Sequence, residues 1–159
     1  MPNDSVTYQK SGYFSSLIND YLDEKKQVTP LYNRFPKIEN FKDQIAEKKI
    51  NFPLENRLQL VEALQEQYLD FEISDCTAQH LSALKKETTF TVTTGHQLNL
   101  FSGPLYFLFK IVSTINLCKK LTKEYPNNTF VPVYWMATED HDFEEINHFY
   151  FKGKKIIWN

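Results

Sequence analysis

Apolar residues recur at spacings of three and four through the first half of the chain and lose that rhythm near residue 88. In SGYFSSLINDYLDEK, the residues Tyr13, Phe14, Leu17, Ile18, Tyr21 and Leu22 fall on one stripe, the pattern of an amphipathic helix. TPLYNRFPKIEN carries two prolines and reads as a connector. Further helices are expected near 39–49, near 54–69 and near 76–86. In the second of these Leu58, Val61, Leu64 and Tyr68 share a face, and Ser74 or Asp75 can cap the third.

Beyond that point the period changes. TTFTVTT, residues 88–94, is β-branched and aromatic and predicts a strand ended by Gly95. Pro104 stands where a first helical turn tolerates proline, and PLYFLFKIVSTINLCKKLTKEY predicts a long apolar helix that PNN terminates. TFVPVYWMAT, residues 129–138, is apolar on both faces, as a strand inside a parallel sheet is. Pro132 fits such a strand only near its start. NHFYFKGKKIIWN, with Lys-Gly-Lys at its centre, predicts a hairpin. Strand, helix, strand is a βαβ unit with an expected right-handed crossover, and the fold class is α/β. The domain reading is an N-terminal helical segment, 1–88, packing on the first part of a Rossmann-like domain, 89–159.

Composition narrows the function classes. The chain has 159 residues, a net charge of -2, 13 Phe, 9 Tyr and only 4 Gly, which describes a packed globular protein. That charge offers no footprint for nucleic acid or for an anionic membrane. The longest apolar run, near 104–118, is broken by Lys110 and Asn116 and falls short of a membrane span. The N-terminus has no signal-peptide pattern, and Cys76 and Cys118 have neither metal-like spacing nor a disulfide framework, so a cytoplasmic location is expected.

In an open α/β sheet the binding crevice lies outside the carboxyl ends of the strands. Two polar runs, TGHQLNLFSGP and TEDHDFEE, each follow a predicted strand, so both are expected at that edge, facing each other across one cleft. In the first, Gly95 would permit a tight turn and Gly103 a close backbone approach at a helix start, where free N–H groups suit phosphate or carboxylate. His96 and Gln97 would sit over it as proton donor or hydrogen-bond partner. In the second, Glu139, Asp140, His141 and Asp142 directly follow an apolar strand. Flanking carboxylates favour the charged form of His141 and suit it to acid–base work, and oxygen-rich loops also suit Mg²⁺, or Mn²⁺ or Zn²⁺ with a histidine. Glu144 and Glu145 read as acids placed at a helix start. His80 and His148 read as structural, and Cys118 as core. Cys76 stands near a helix start without an evident partner in sequence. Neither GxGxxG nor GxxxxGK[ST] occurs.

TGHQLNLFSGPLYFLFKI followed by PVYWMATEDHDFEEI, with SGYFSSLINDYL and YNRFP before them, resembles the N-terminal part of the BshC family, the cysteine-adding enzymes of bacillithiol biosynthesis. The resemblance covers essentially all of the chain. It implies a ligase that joins cysteine through its carboxyl group to the amine of glucosaminyl-malate, on a Rossmann-like core shaped like the nucleotidyltransferases. Carried over, His96, His141, Asp140 and Asp142 are the expected catalytic residues, and Gly95, Gln97, Asn99, Gly103 and Glu139 the expected substrate-binding residues. ATP is the expected co-substrate, and no metal is specified. Members of the family run to several hundred residues and dimerise through a C-terminal coiled coil, so this chain is expected to be an incomplete part of a larger core, with little activity alone. Two other readings stay open: a metal-dependent hydrolase using Glu139 to Asp142 with His96, and a non-catalytic piece that assembles with a partner chain.

Overall fold

The computed structural model describes residues 4–101, 103–139 and 143–158. The chain forms two compact units, Met1–Glu47 and Lys48–Asn159.

The first unit holds the short helices α1 (Tyr8–Ser11) and α2 (Ser16–Leu22), two 3₁₀ turns at Lys26–Leu31 and Ile38–Asn40, and the start of α3 (Phe41–Asn51). Thr7 and Ser15 cap α1 and α2 through their hydroxyls, and Gly12 closes α1 in the left-handed region at φ 71°. The predicted stripe is only partly used. Tyr21 packs against Tyr32 and Phe35 at ring separations of 5.1 and 5.0 Å, while Tyr13, Leu17 and Ile18 stay exposed. The expected connector takes in the end of the first 3₁₀ turn and all of the second, and is tied down by an Arg34–Glu47 ion pair.

The second unit contains α4 (Leu54–Gln67), α5 (Asp75–Leu84), β1 (Thr89–Gln97), α6 (Leu105–Glu124), β2 (Thr129–Ala137), α7 (Phe143–Ile146), β3 (His148–Phe151) and β4 (Lys154–Ile157). β1 and β2 pair in parallel, Thr89 opposite Thr129 through Gln97 opposite Ala137, with α6 as the connection between them. Side chains alternate across a strand, and here both faces are used. Val131 and Val133 join Val61, Leu64 and Leu84 of α4 and α5, while Phe130 and Tyr134 meet rings of Tyr125 and Phe107 on the α6 side. α6 buries Thr114, Cys118 and Leu121. Burial pushes the Cys118 thiol up to about 11, so it stays protonated and behaves as the core residue its apolar setting suggests.

Arg57 is the unusual member of this core. It is 4% exposed and has no carboxylate among its described hydrogen-bond partners. Its Nη1 donates to the carbonyls of Thr89 at 2.8 Å and Leu84 at 3.4 Å, and its guanidinium lies over the Phe52 and Phe90 rings. Desolvation holds this guanidinium below its ordinary range. The arrangement joins α4 to the end of α5 and the start of β1. Thr89, fully buried, adds a 2.6 Å bond from Oγ1 to the carbonyl of Ala83.

Three expectations are corrected. β1 does not stop at Gly95 but continues in register through Gln97. A Cβ on Gly95 would stand 2.9 Å from the carbonyl oxygen of Trp135 and 3.1 Å from its Cβ, so this glycine serves close strand approach and not a turn. Pro132 is the fourth residue of β2 and pairs with Val92; among the described residues β2 has β1 alone as a neighbour, and an edge strand tolerates proline. Nor is β2 enclosed on both faces along its length: Trp135 and Met136 are 59% and 53% exposed. β3 and β4 form the expected hairpin around Lys152 and Gly153, both at positive φ, as a two-residue type I′ turn requires. Among the described residues no helix is long and apolar enough to cross a membrane.

Candidate functional site

The parallel register carries the ends of β1 and β2 to the same edge, with Gln97 beside Ala137. Residues 95–99 and 138–139 therefore emerge together there, as the two polar runs predict. Asp140, His141 and Asp142 lie outside the described residues. Glu139 is exposed at the end of β2, and Glu144 and Glu145 occupy the first turn of α7.

His96 is the centre of the described polar groups. Its Nε2 stands 2.6 Å from the Tyr106 hydroxyl on the first turn of α6, and its Nδ1 stands 2.8 Å from the Asn99 amide nitrogen. That same nitrogen donates to the Gln97 carbonyl at 2.9 Å. Phe107 meets the imidazole edge-on at 5.8 Å, and the Tyr134 hydroxyl donates to the His96 carbonyl at 3.2 Å. Burial raises the pKa of Tyr134, which keeps it a donor. The ring is thus held from β1, α6 and the β1–α6 loop, and its backbone carbonyl from β2, while the residue remains half-buried. A histidine held at both nitrogens has a defined orientation, which acid–base or positioning chemistry needs.

The loop after β1 is shaped by Gly103, at φ 64°, whose N–H donates to the Leu100 carbonyl at 2.8 Å. A Cβ there would lie 2.8 Å from Asn99 Cγ, so the glycine makes room for the side chain that touches His96. α6 begins at Leu105 with Pro104 in the cap position, one residue before the first turn where the sequence places it. One turn beyond Tyr106, Lys110 reaches back with its Nζ 2.5 Å from the Gly95 carbonyl. Among the described residues no carboxylate pairs with Lys110.

Tyr106, Lys110 and Tyr134 were not legible as site residues from spacing, because each sits in an apolar run that reads as core. The available signal was a polar atom repeated on one face of the first two turns of α6, at Tyr106 and Lys110. The remaining histidines lie elsewhere: His80 sits on α5 with both ring nitrogens 3.9 Å from Cys76 Sγ, and His148 on β3 contacts Asn147 and Tyr150. Among the described residues no group of three potential metal ligands gathers.

Comparison with known proteins adds an independent line. The family described as "Bacillithiol biosynthesis BshC, N-terminal Rossmann-like domain" matches residues 1–159. A protein of Flavobacterium psychrophilum is 65% identical over 160 residues and one of Flavobacterium johnsoniae 65% identical over 159, each alignment covering 100% of this chain. A protein of Bacillus cereus is 35% identical over 141 residues, 88% of the chain. All three carry the name "Putative cysteine ligase BshC". The chain spans 30% of the length of the two flavobacterial relatives and 26% of the Bacillus one.

Proposed function

The chain belongs to the BshC family of bacillithiol biosynthesis, matching its N-terminal Rossmann-like domain, and we propose that the protein carrying it is a ligase that adds cysteine to glucosaminyl-malate through an amide bond. The observation that carries this reading is family membership along all 159 residues. The His96 cluster at the C-terminal edge of a parallel strand pair supports it, since that edge is where α/β folds build their sites.

In this reading His96 orients and polarises a reacting group, and Gly95, Gln97, Asn99 and Gly103 form the wall of the substrate pocket. His141, Asp140, Asp142 and Glu139 complete it from the end of β2. Joining a free carboxylate to an amine is unfavourable in water, so we assign ATP as co-substrate, supplying the activation of the carboxyl group. Lys110 and the free N–H groups at the start of α6 are the described groups that suit a phosphate. The location is cytoplasmic, the ligands are small molecules, and the whole protein is a dimer.

The test is reconstitution with the purified whole protein, cysteine, glucosaminyl-malate and ATP, followed by mass spectrometry. The expected product has the mass of the two substrates less one water and appears only with nucleotide present. Hydrolysis of glucosaminyl-malate, with no cysteine incorporated, would overturn the reading.

A further inference from the structure

Phe101 stands in the loop after β1 with φ at 50°, a conformation that disfavours a bulky L side chain. Two other described residues with positive φ and a side chain have local reasons for it. Glu24 directly follows the cap of α2, and Lys152 belongs to the hairpin turn. At position 101 glycine would serve without strain, yet the sequence places an aromatic ring there. That ring meets Phe149 of β3 edge-on, with centroids 5.1 Å apart, and the contact offsets the strained backbone.

The strained residue holds a wall of the His96 cluster. The Gly103 N–H donates to the Leu100 carbonyl at 2.8 Å, closing the chain around Phe101. This closure brings Gly103 against Asn99, so closely that a Cβ would lie 2.8 Å from Asn99 Cγ. The Asn99 amide nitrogen in turn stands 2.8 Å from His96 Nδ1 and donates to the Gln97 carbonyl at 2.9 Å. Relaxation of residue 101 to negative φ opens the closure, and Asn99 loses the surface that seats it. Contact therefore runs from β3 to the imidazole through Phe101, Gly103 and Asn99, whichever ring nitrogen carries the proton.

We infer that Phe149 is a positioning residue for His96: its contact with Phe101 holds the 99–103 loop in the strained form that seats Asn99 against the imidazole. The consequence for turnover rests on the ligase reading; the coupling of hairpin to loop does not.

Alanine and glycine at position 101 separate backbone strain from ring packing. Both remove the ring, but glycine alone adopts positive φ without steric cost. Phe101 is 77% exposed, so its truncation leaves the core closed. Hydrogen–deuterium exchange at the Gly103 amide of the whole protein, read by mass spectrometry, reports the closure. Phe149→Ala and Phe101→Ala are each expected to lower its protection about 3- to 10-fold, the share of one edge-on aromatic pair. Phe101→Gly should keep protection within about twofold of wild type or raise it. Adding Phe149→Ala to Phe101→Gly should change nothing further, because the contact is already gone. In the whole enzyme kcat/KM should fall in the same order, by at most the same factor, and Phe149→Ala should cost nothing in a His96→Ala background. Unchanged protection in Phe149→Ala would overturn the inference. So would a Phe101→Gly protein as impaired as Phe101→Ala, since packing and not backbone strain would then decide the loop. If the wild-type protein adds no cysteine, the ligase reading fails and the exchange comparison alone decides the inference.

Discussion

His96→Ala is expected to lower cysteine-adding turnover by about 10²- to 10⁴-fold, the range for losing a positioned acid–base group. Four groups converge on this ring or its backbone: Tyr106, Asn99, Phe107 and Tyr134. Removing the imidazole leaves Asn99 and Tyr106 without their shared partner, and no other described side chain reaches both. His96→Gln, which keeps one polar group near the ring position but cannot reach Tyr106 and Asn99 together, is expected to fall between wild type and alanine. The imidazole is half-buried and outside the Val61–Leu84–Val131 core, so melting temperature should change little. Steady-state kinetics with matched melting curves separates the two effects. Turnover within tenfold of wild type in His96→Ala would remove this residue from the machinery.

The second large effect concerns stability. Arg57→Ala is expected to cost about 3–5 kcal/mol in unfolding free energy, because it opens a cavity and leaves two buried carbonyls, those of Thr89 and Leu84, without their donor. Arg57→Met refills the volume and removes a cation that burial already disfavours. It is expected to cost less, about 1–3 kcal/mol, because the unpaired carbonyls remain. Urea unfolding at constant m-value provides the comparison. A methionine variant as unstable as the alanine one would show that the carbonyl bonds, and not the packing, dominate.

Much of this architecture is visible in the pattern of side chains. The helix stripe over 54–69, the β-branched run at 88–94 and the apolar segment after Pro104 all form the elements they predict, because local propensity and burial agree there. Ser74 caps α5 through the hydroxyl that the sequence offers. Gly95 misled for a physical reason: a glycine ending a β-branched run suggests a turn, but the neighbouring Trp135 needs the missing Cβ, and nothing local records that neighbour. Arg57 is hidden in the same way. Within α4 it reads as a solvated charge, and only the fold brings the Thr89 carbonyl to it across 32 positions.

The candidate site was legible in its location and its centre, less so in its membership. His96 stands out beside a glycine at a strand end, and parallel pairing brings residue 139 to the same edge. Tyr106 and Lys110 look like core and surface in a helix whose apolar residues run around most of its circumference. Leu105, Phe109 and Val112 remain exposed on that helix, as do Trp135 and Met136 on β2. The sequence thus marked the polar loops and not the helix face that meets them.

The most direct test of the functional account is the thiol pool of the source bacterium with and without this gene, read by mass spectrometry. The account predicts that deletion abolishes bacillithiol and accumulates glucosaminyl-malate, and that the natural whole gene restores the thiol while its His96→Ala form does not. Unchanged bacillithiol in the deletion strain would contradict it.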